Sequence, residues 1–172
     1  MCFSSVAGVG KSTVAYELSR QLAKANVAHA VVEGDNLDQA YPEPWRNGIP
    51  LAEKYLAAIW RNYPEAGYHR LIYTNTVSVM EMEEFGCALG GEVRVAGVLL
   101  QASDGTTADR LSKRESGASL QEHLERSRRA NEYLGAAAPD SVHRVITDGR
   151  TPEEVAGDLL ALIQWAASGP ES

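Results

Sequence analysis

Residues 8 to 13 read Gly8-Val9-Gly10-Lys11-Ser12-Thr13 and stand near the start of the chain. An apolar stub, Met1–Ser4, precedes them, and a run with Val14, Leu18 and Leu22 at helical spacing follows. Small residues in succession let backbone N–H groups turn inward around an anion. A helix that begins near Lys11 adds the roughly half positive charge of its N-terminal end. In that frame Lys11 reaches the β- and γ-phosphates of a nucleotide and the Ser12 hydroxyl ligates Mg²⁺. Ala7, Gly8, Val9, Gly10 and Thr13 complete the cradle. The full pattern is G-x-x-x-x-G-K-[ST]; Ser5-Val6-Ala7-Gly8-Val9-Gly10-Lys11-Ser12 has its length, with serine in the first glycine position. The plainer reading, a glycine-rich turn before an ordinary helix, leaves the order of strand, glycines, Lys-Ser and helix unexplained.

Asp35 is the next residue with a chemical reading. It follows a short apolar run, and Gly34 before it permits close approach. A carboxylate there accepts a proton from a substrate hydroxyl or joins the Mg²⁺ shell; the alternative is a capping aspartate. Asn36 beside it is a candidate for substrate contact. So is Asn75, which sits where many phosphate-loop proteins carry an aspartate; its alternative duty is a turn or cap. Arg110 and Arg114 lie one helical turn apart. An arginine brought in by a mobile segment lowers the barrier of phosphoryl transfer, and Ser116-Gly117-Ala118 would suit a closing lid. Arg126, Arg128 and Arg129 read as a solvated helix face paired with glutamates. Asp148-Gly149-Arg150-Thr151-Pro152 follows the last strand, where Arg150 and Pro152 would lie beside a nucleotide base. Among the aromatics of residues 41–68, Tyr41 and Trp45 are the better substrate candidates, because Tyr55 and Trp60 fall on a helix face. The four histidines and two cysteines show no metal spacing.

The elements that must position these groups alternate. The spacing predicts strands at residues 1–4, Ala28–Val32, Leu71–Thr74, Val93–Leu100 and Val142–Thr147. It predicts helices at 11–25, 51–63, 78–89, 106–114, 119–134 and from Thr151 to about residue 167. Thr151-Pro152-Glu153-Glu154 is a helix start with cap, proline and acids in order. Pro42, Pro44 and Pro50 leave residues 37–50 irregular. Such alternation implies an α/β fold, a parallel sheet with helices on both faces and ligands at the edge of the strand C-terminal ends. Gly8–Ser12, Asp35, Thr74, Asn75, Asp104 and Asp148 are then expected to face one crevice.

The 172 residues suit a single domain, with 37–70 as a substrate-binding insertion and 106–134 as an arginine-bearing lid region. The net charge of −7 argues against a nucleic-acid partner. No apolar run approaches a membrane span and no leader pattern opens the chain, so a cytoplasmic protein without a membrane partner is expected. Either a monomer or a homodimer is compatible with the sequence.

On Gly8–Thr13, Gly34-Asp35-Asn36, Asp109-Arg110-Leu111-Ser112-Lys113-Arg114 and Thr147–Val155, the chain resembles the phosphate-loop small-molecule kinases. That group lies near the nucleoside-monophosphate, shikimate and gluconate kinases. The Gly-Asp-Asn triplet is similar to that of adenylyl-sulfate kinases, although Asp38 stands where those carry arginine. Asp35 also matches the base of antibiotic phosphotransferases of this fold. The resemblance implies a three-layer fold with a five-stranded sheet in order 2-3-1-4-5, ATP with Mg²⁺ as cofactors and a small-molecule hydroxyl as acceptor. It implies catalytic roles for Lys11, Asp35 and Arg114, and nucleotide contact for Arg110. Two alternatives stay open: a nucleoside or nucleoside-monophosphate kinase, and a nucleotide-binding regulatory or toxin-like module with no dedicated small substrate.

Overall fold

The computed structural model describes residues 2–4, 9–90, 93–113 and 118–164. Its centre is a five-stranded sheet in the order β2-β3-β1-β4-β5. The strands are β1 (Cys2–Ser4), β2 (Ala30–Glu33), β3 (Leu71–Asn75), β4 (Gly97–Gln101) and β5 (His143–Ile146). Every pairing is parallel, with Cys2 opposite both Tyr73 and Gly97. Parallel strands need crossovers, and the α-helices supply them. These are α1 (Lys11–Lys24), α2 (Leu51–Trp60), α3 (Met82–Ala88), α4 (Asp104–Ser112), α5 (Ala118–Ala137) and α6 (Pro152–Ile163).

Two apolar clusters hold the helices to the sheet. Leu18 and Leu22 of α1 and Val155, Ala156 and Leu159 of α6 share a core with Ile72 and Val98–Leu100. Leu56 of α2 and Phe85 of α3 join Ala30, Val32, Leu71 and Tyr73 in the other. Covered strands read as unbroken apolar runs. All five residues of β3 are buried, whereas β5, the edge strand, is largely exposed.

Several boundaries differ from the sequence reading. β4 begins at Gly97, not Val93, because its pairing begins at Cys2 and His143 and, among the described residues, no strand runs beside residues 93–96. The helix expected over 78–89 is a 3-10 turn, Ser78–Met80, followed by α3, with Glu81 at φ −122° between them. α4 starts at Asp104 because the Ser103 side chain caps it by accepting the Thr106 N–H. Residues 37–50 contain one 3-10 helix, Pro44–Asn47. The capping box at Thr151 and Glu154 forms as the local sequence predicts.

Gly34 shows how closely the sheet edge is fitted. A Cβ there would overlap the Tyr73 hydroxyl and lie 2.6 Å from its Cε2. The Tyr73 ring cannot yield: it is buried, with Phe85 5.0 Å away between ring centroids. Gly34→Ala should therefore lower the unfolding free energy by about 1–3 kcal/mol, as overpacking does. Urea titration checks this, and an unchanged midpoint would show that the ring has room.

Candidate active site

The cradle begins with Gly10, whose φ of 98° and ψ of 23° place it in the left-handed region as the N-cap of α1. Only glycine adopts this at little cost. Among the described residues no side chain caps α1, and no acidic residue stands in its first turn. The N–H groups of that turn and the positive end of a 14-residue helix are thus available to an anion. Lys11 follows at once. Its side chain is only 10% exposed, and its Nζ forms a hydrogen-bonded ion pair with Asp35 Oδ2.

Asp35 stands in the 3-10 turn Gly34–Asn36 at the end of β2. Its Oδ1 accepts the Thr76 backbone N–H at 3.1 Å and the Thr76 hydroxyl at 3.4 Å. The carboxylate therefore meets the phosphate-loop lysine on one side and the end of β3 on the other. Next to it, Asn75 accepts the Val77 N–H on its Oδ1 at 2.9 Å.

These residues border a cavity of about 1010 Å³. Asp35, Trp45, Asn75, Thr76, Glu81 and Arg126 line it, together with residues 48–53. Burial pushes the carboxyl of Glu81 up, and the negative charges of Glu53, Glu84 and Asp38 add to the effect. Asp38 is also raised, first by burial and then by Asp35.

A smaller groove of about 200 Å³ lies on the other side of the cradle. Val9, Gly10, Thr13, Arg110, Lys113 and Pro152 are on its wall. Arg110 Nη1 donates to the Val9 carbonyl at 2.7 Å and to Thr147 Oγ1 at 3.1 Å, and Nη2 donates to the Thr147 carbonyl at 3.1 Å. Next to Thr147, the Asp148 carboxylate accepts from the Ser103 N–H and hydroxyl and from the Thr106 hydroxyl. Those hydrogen bonds hold its pKa below the usual carboxylate range.

The structure thus gathers Val9, Gly10, Lys11, Asp35, Trp45, Asn75, Arg110 and Pro152 around the cradle and its two hollows. Ser12 and Thr13 lie in the first turn of α1. Other expected residues go elsewhere. Tyr41 is 94% exposed and Asn36 is exposed, and neither lines the cavity. Arg150 turns to α6, where it meets Asp158 at 2.7 Å and the Glu154 carbonyl at 3.2 Å, because the turn that starts α6 directs it along the helix. Thr74 is buried. Asp104, the first residue of α4, lines a groove between α4 and α5 and so leaves the expected crevice. Ala7, Gly8 and Arg114 lie outside the described residues.

Two residues escaped the sequence reading. Lys113 lines the smaller groove, one helical turn from the expected Arg110. Arg126 lines the large cavity, whereas Arg128 and Arg129 pair with Glu125 and Glu132 on the outside. The signal was available: at 3.6 residues per turn, Arg126 and Arg128 sit about 200° apart on the helix.

No protein-family model and no curated protein sequence matches the chain. Solved structures do. A gluconokinase from Sinorhizobium meliloti has a TM-score of 0.62 at 21% identity, covering 96% of this chain and 92% of its own. The tunicamycin resistance protein of Deinococcus radiodurans has a TM-score of 0.63 at 19% identity, covering 95% and 94%. A shikimate kinase from Acinetobacter baumannii, in complex with shikimate, has a TM-score of 0.61 at 13% identity, covering 95% and 91%. The chain has the α/β fold of the phosphate-loop small-molecule kinases.

Two outcomes follow from this geometry. Arg110→Ala removes a charged donor that ties the cradle to β5, and should cost about 1–3 kcal/mol of stability in urea titration. Arg110→Lys, with one ammonium for two sites, should recover less than half; a variant as stable as the parent would show that the tie carries nothing. Glu81 has a raised folded-state pKa, so the folded state takes up its proton more readily than the unfolded chain does. Its charge therefore costs stability, and more so as pH rises through that pKa. Glu81→Gln should melt higher than the parent at pH 7, and the gain should shrink as pH falls through the raised pKa and be gone below the ordinary value of 4.5. A lower melting point at pH 7 would contradict this.

Proposed function

We propose that the protein is an ATP-dependent phosphotransferase that moves the γ-phosphoryl group to a hydroxyl of a small molecule. The observation that carries this reading is the contact of Lys11 with Asp35, 24 residues apart in sequence, at the wall of a cavity large enough for a metabolite. A phosphate-binding cation and a carboxylate base are two of the parts that phosphoryl transfer needs. The fold shared with the gluconokinase, the tunicamycin resistance protein and the shikimate kinase supports the same reading.

The uncapped start of α1 fits a polyphosphate. Ser12 and Asp35 are the residues that would hold Mg²⁺, whose chemistry there is to neutralise phosphate charge. In the reaction, Lys11 exchanges Asp35 for the β- and γ-phosphates. The acceptor oxygen attacks the γ-phosphorus, the bond from that phosphorus to the bridging oxygen breaks, ADP departs, and the hydroxyl proton passes to Asp35. Arg126 faces the same cavity and compensates the charge spread over the moving oxygens. Asn75 orients the acceptor, and Trp45 covers it. The groove between Val9, Arg110 and Pro152 receives the base.

A nucleotide acceptor fits less well. Of the two guanidinium groups on the cavity wall, Arg46 is already paired with Glu43 at 3.5 Å. We further propose a cytoplasmic monomer or homodimer, organised as one domain, with no nucleic-acid or membrane partner. Among the described residues no helix is long and apolar enough to cross a membrane.

ADP release measured across a panel of hydroxyl compounds tests the function. At least one should raise the rate well above the hydrolytic background. Asp35→Asn should then lower kcat by about 10²–10⁴, the contribution of a positioned base. A panel that leaves the background unchanged, or an Asp35→Asn protein at the parental rate, would refute the reading.

A further inference from the structure

The charges on the large cavity are unevenly distributed. Five carboxylates line it, Asp35, Asp38, Glu43, Glu53 and Glu81, against the guanidiniums of Arg46 and Arg126. Lys11 takes Asp35 and Arg46 takes Glu43. Asp38, Glu53 and Glu81 have no cationic partner among the described residues. They come from the loop after Asp35, from α2 and from the turn before α3, so they form one wall. The cations Lys11 and Arg126 come from other elements, α1 and α5.

A separate observation says that this space is built for a ligand. Asn75 is only 8% exposed and lines the cavity. With its Oδ1 committed to the Val77 N–H, its Nδ2 has no protein partner among the described residues. That amide donor is not sealed off from the cavity, so it is available to a ligand oxygen there. The like-charged wall is itself costly, because each of its carboxylates is held in the others' field with no counter-ion among the described residues. A ligand that brings hydroxyl oxygens to Asn75 and positive charge to the wall satisfies both.

We infer that the acceptor is a hydroxyl compound bearing one or more protonated amines, such as an amino sugar or aminocyclitol, with its amines on Asp38, Glu53 and Glu81 and its hydroxyls toward Asn75 and Asp35. This rests on the proposed phosphotransferase reading and names the substrate class for that site. The half-exposed Trp45 ring on the same wall offers a π-face to an ammonium or to the apolar face of a sugar. Hydroxy acids are excluded by the same charges, since a carboxylate entering the cavity meets unpaired negative groups.

The test uses calorimetric binding without nucleotide, so it does not depend on turnover. The probes are kanamycin, a polyamine with several hydroxyls, its fully N-acetylated form and gluconate. Kanamycin should bind at least about tenfold tighter than the acetylated form, and gluconate should not bind measurably. Glu81→Gln and Asp38→Asn should each weaken kanamycin binding about three- to tenfold, whereas Glu132→Gln, on the outer face of α5, should leave it unchanged. Circular dichroism of each variant checks folding. Equal or tighter binding of the acetylated form, or equal losses in Glu81→Gln and Glu132→Gln, would overturn the inference. If gluconate or a neutral polyol is phosphorylated while kanamycin fails to bind, the inference fails and the phosphotransferase reading stands. If kanamycin binds as expected and no hydroxyl compound, amine-bearing or not, is phosphorylated, the recognition holds and the phosphotransferase reading fails.

Discussion

Lys11 leaves the first turn of α1 and meets Asp35 at the end of β2, although β3 lies between β1 and β2 in the sheet. Neighbouring strands are about 4.8 Å apart, so the two ends stand about 10 Å from one another. The long aliphatic stem of lysine spans that gap across the end of β3, where Thr76 donates its N–H to the same carboxylate. Three consecutive strand ends are thereby tied at one point. The lysine is nearly buried and needs a negative partner; in this structure the partner is the carboxylate, and in the proposed reaction it is the phosphates. In that proposed reaction the exchange would free Asp35 for the acceptor proton only when nucleotide is in place, and so couple the two substrates.

The other half of the edge is built on a different tie. Arg110 joins the Val9 carbonyl to Thr147, and Asp148 joins the end of β5 to the cap of α4. Here charged side chains serve backbone groups, so this side is a rigid wall against which the cradle is set. The cavity on the α2 and α3 side carries Asp38, Glu53 and Glu81, which have no counter-ion among the described residues. Binding sites often hold such unfavourable charge, because a ligand of the right sign removes the cost.

The alternation of apolar runs and helical stripes made the α/β class legible, and the ordered glycines, lysine and serine made the cradle legible. Asp35 was legible because it follows a strand directly and is preceded by glycine; that the glycine is needed for the Tyr73 ring beneath it was not, since this contact joins residues 39 positions apart. Local chemistry located the α6 start, where Thr151 and Glu154 need only each other. The start of β4 was missed because Val93, Val95 and Ala96 read as a continuation of the apolar strand until the register of its neighbours is known. Tyr41 and Arg150 were misplaced for a similar reason. An aromatic or a guanidinium in a loop announces a capacity to bind, but not the direction in which the loop turns it. Arg126 was hidden by its neighbours, whose glutamate pairs made the whole cluster read as a solvated face.

The account as a whole requires that Lys11 change partners from Asp35 to a nucleotide. Calorimetric titration of a non-hydrolysable ATP analogue with Mg²⁺, on the parent and on Lys11→Met, tests this most directly. The account predicts saturable one-to-one binding by the parent that is lost, or weakened by about 10²-fold or more, in Lys11→Met. Absence of binding by the parent, or equal affinity in the two proteins, would contradict it.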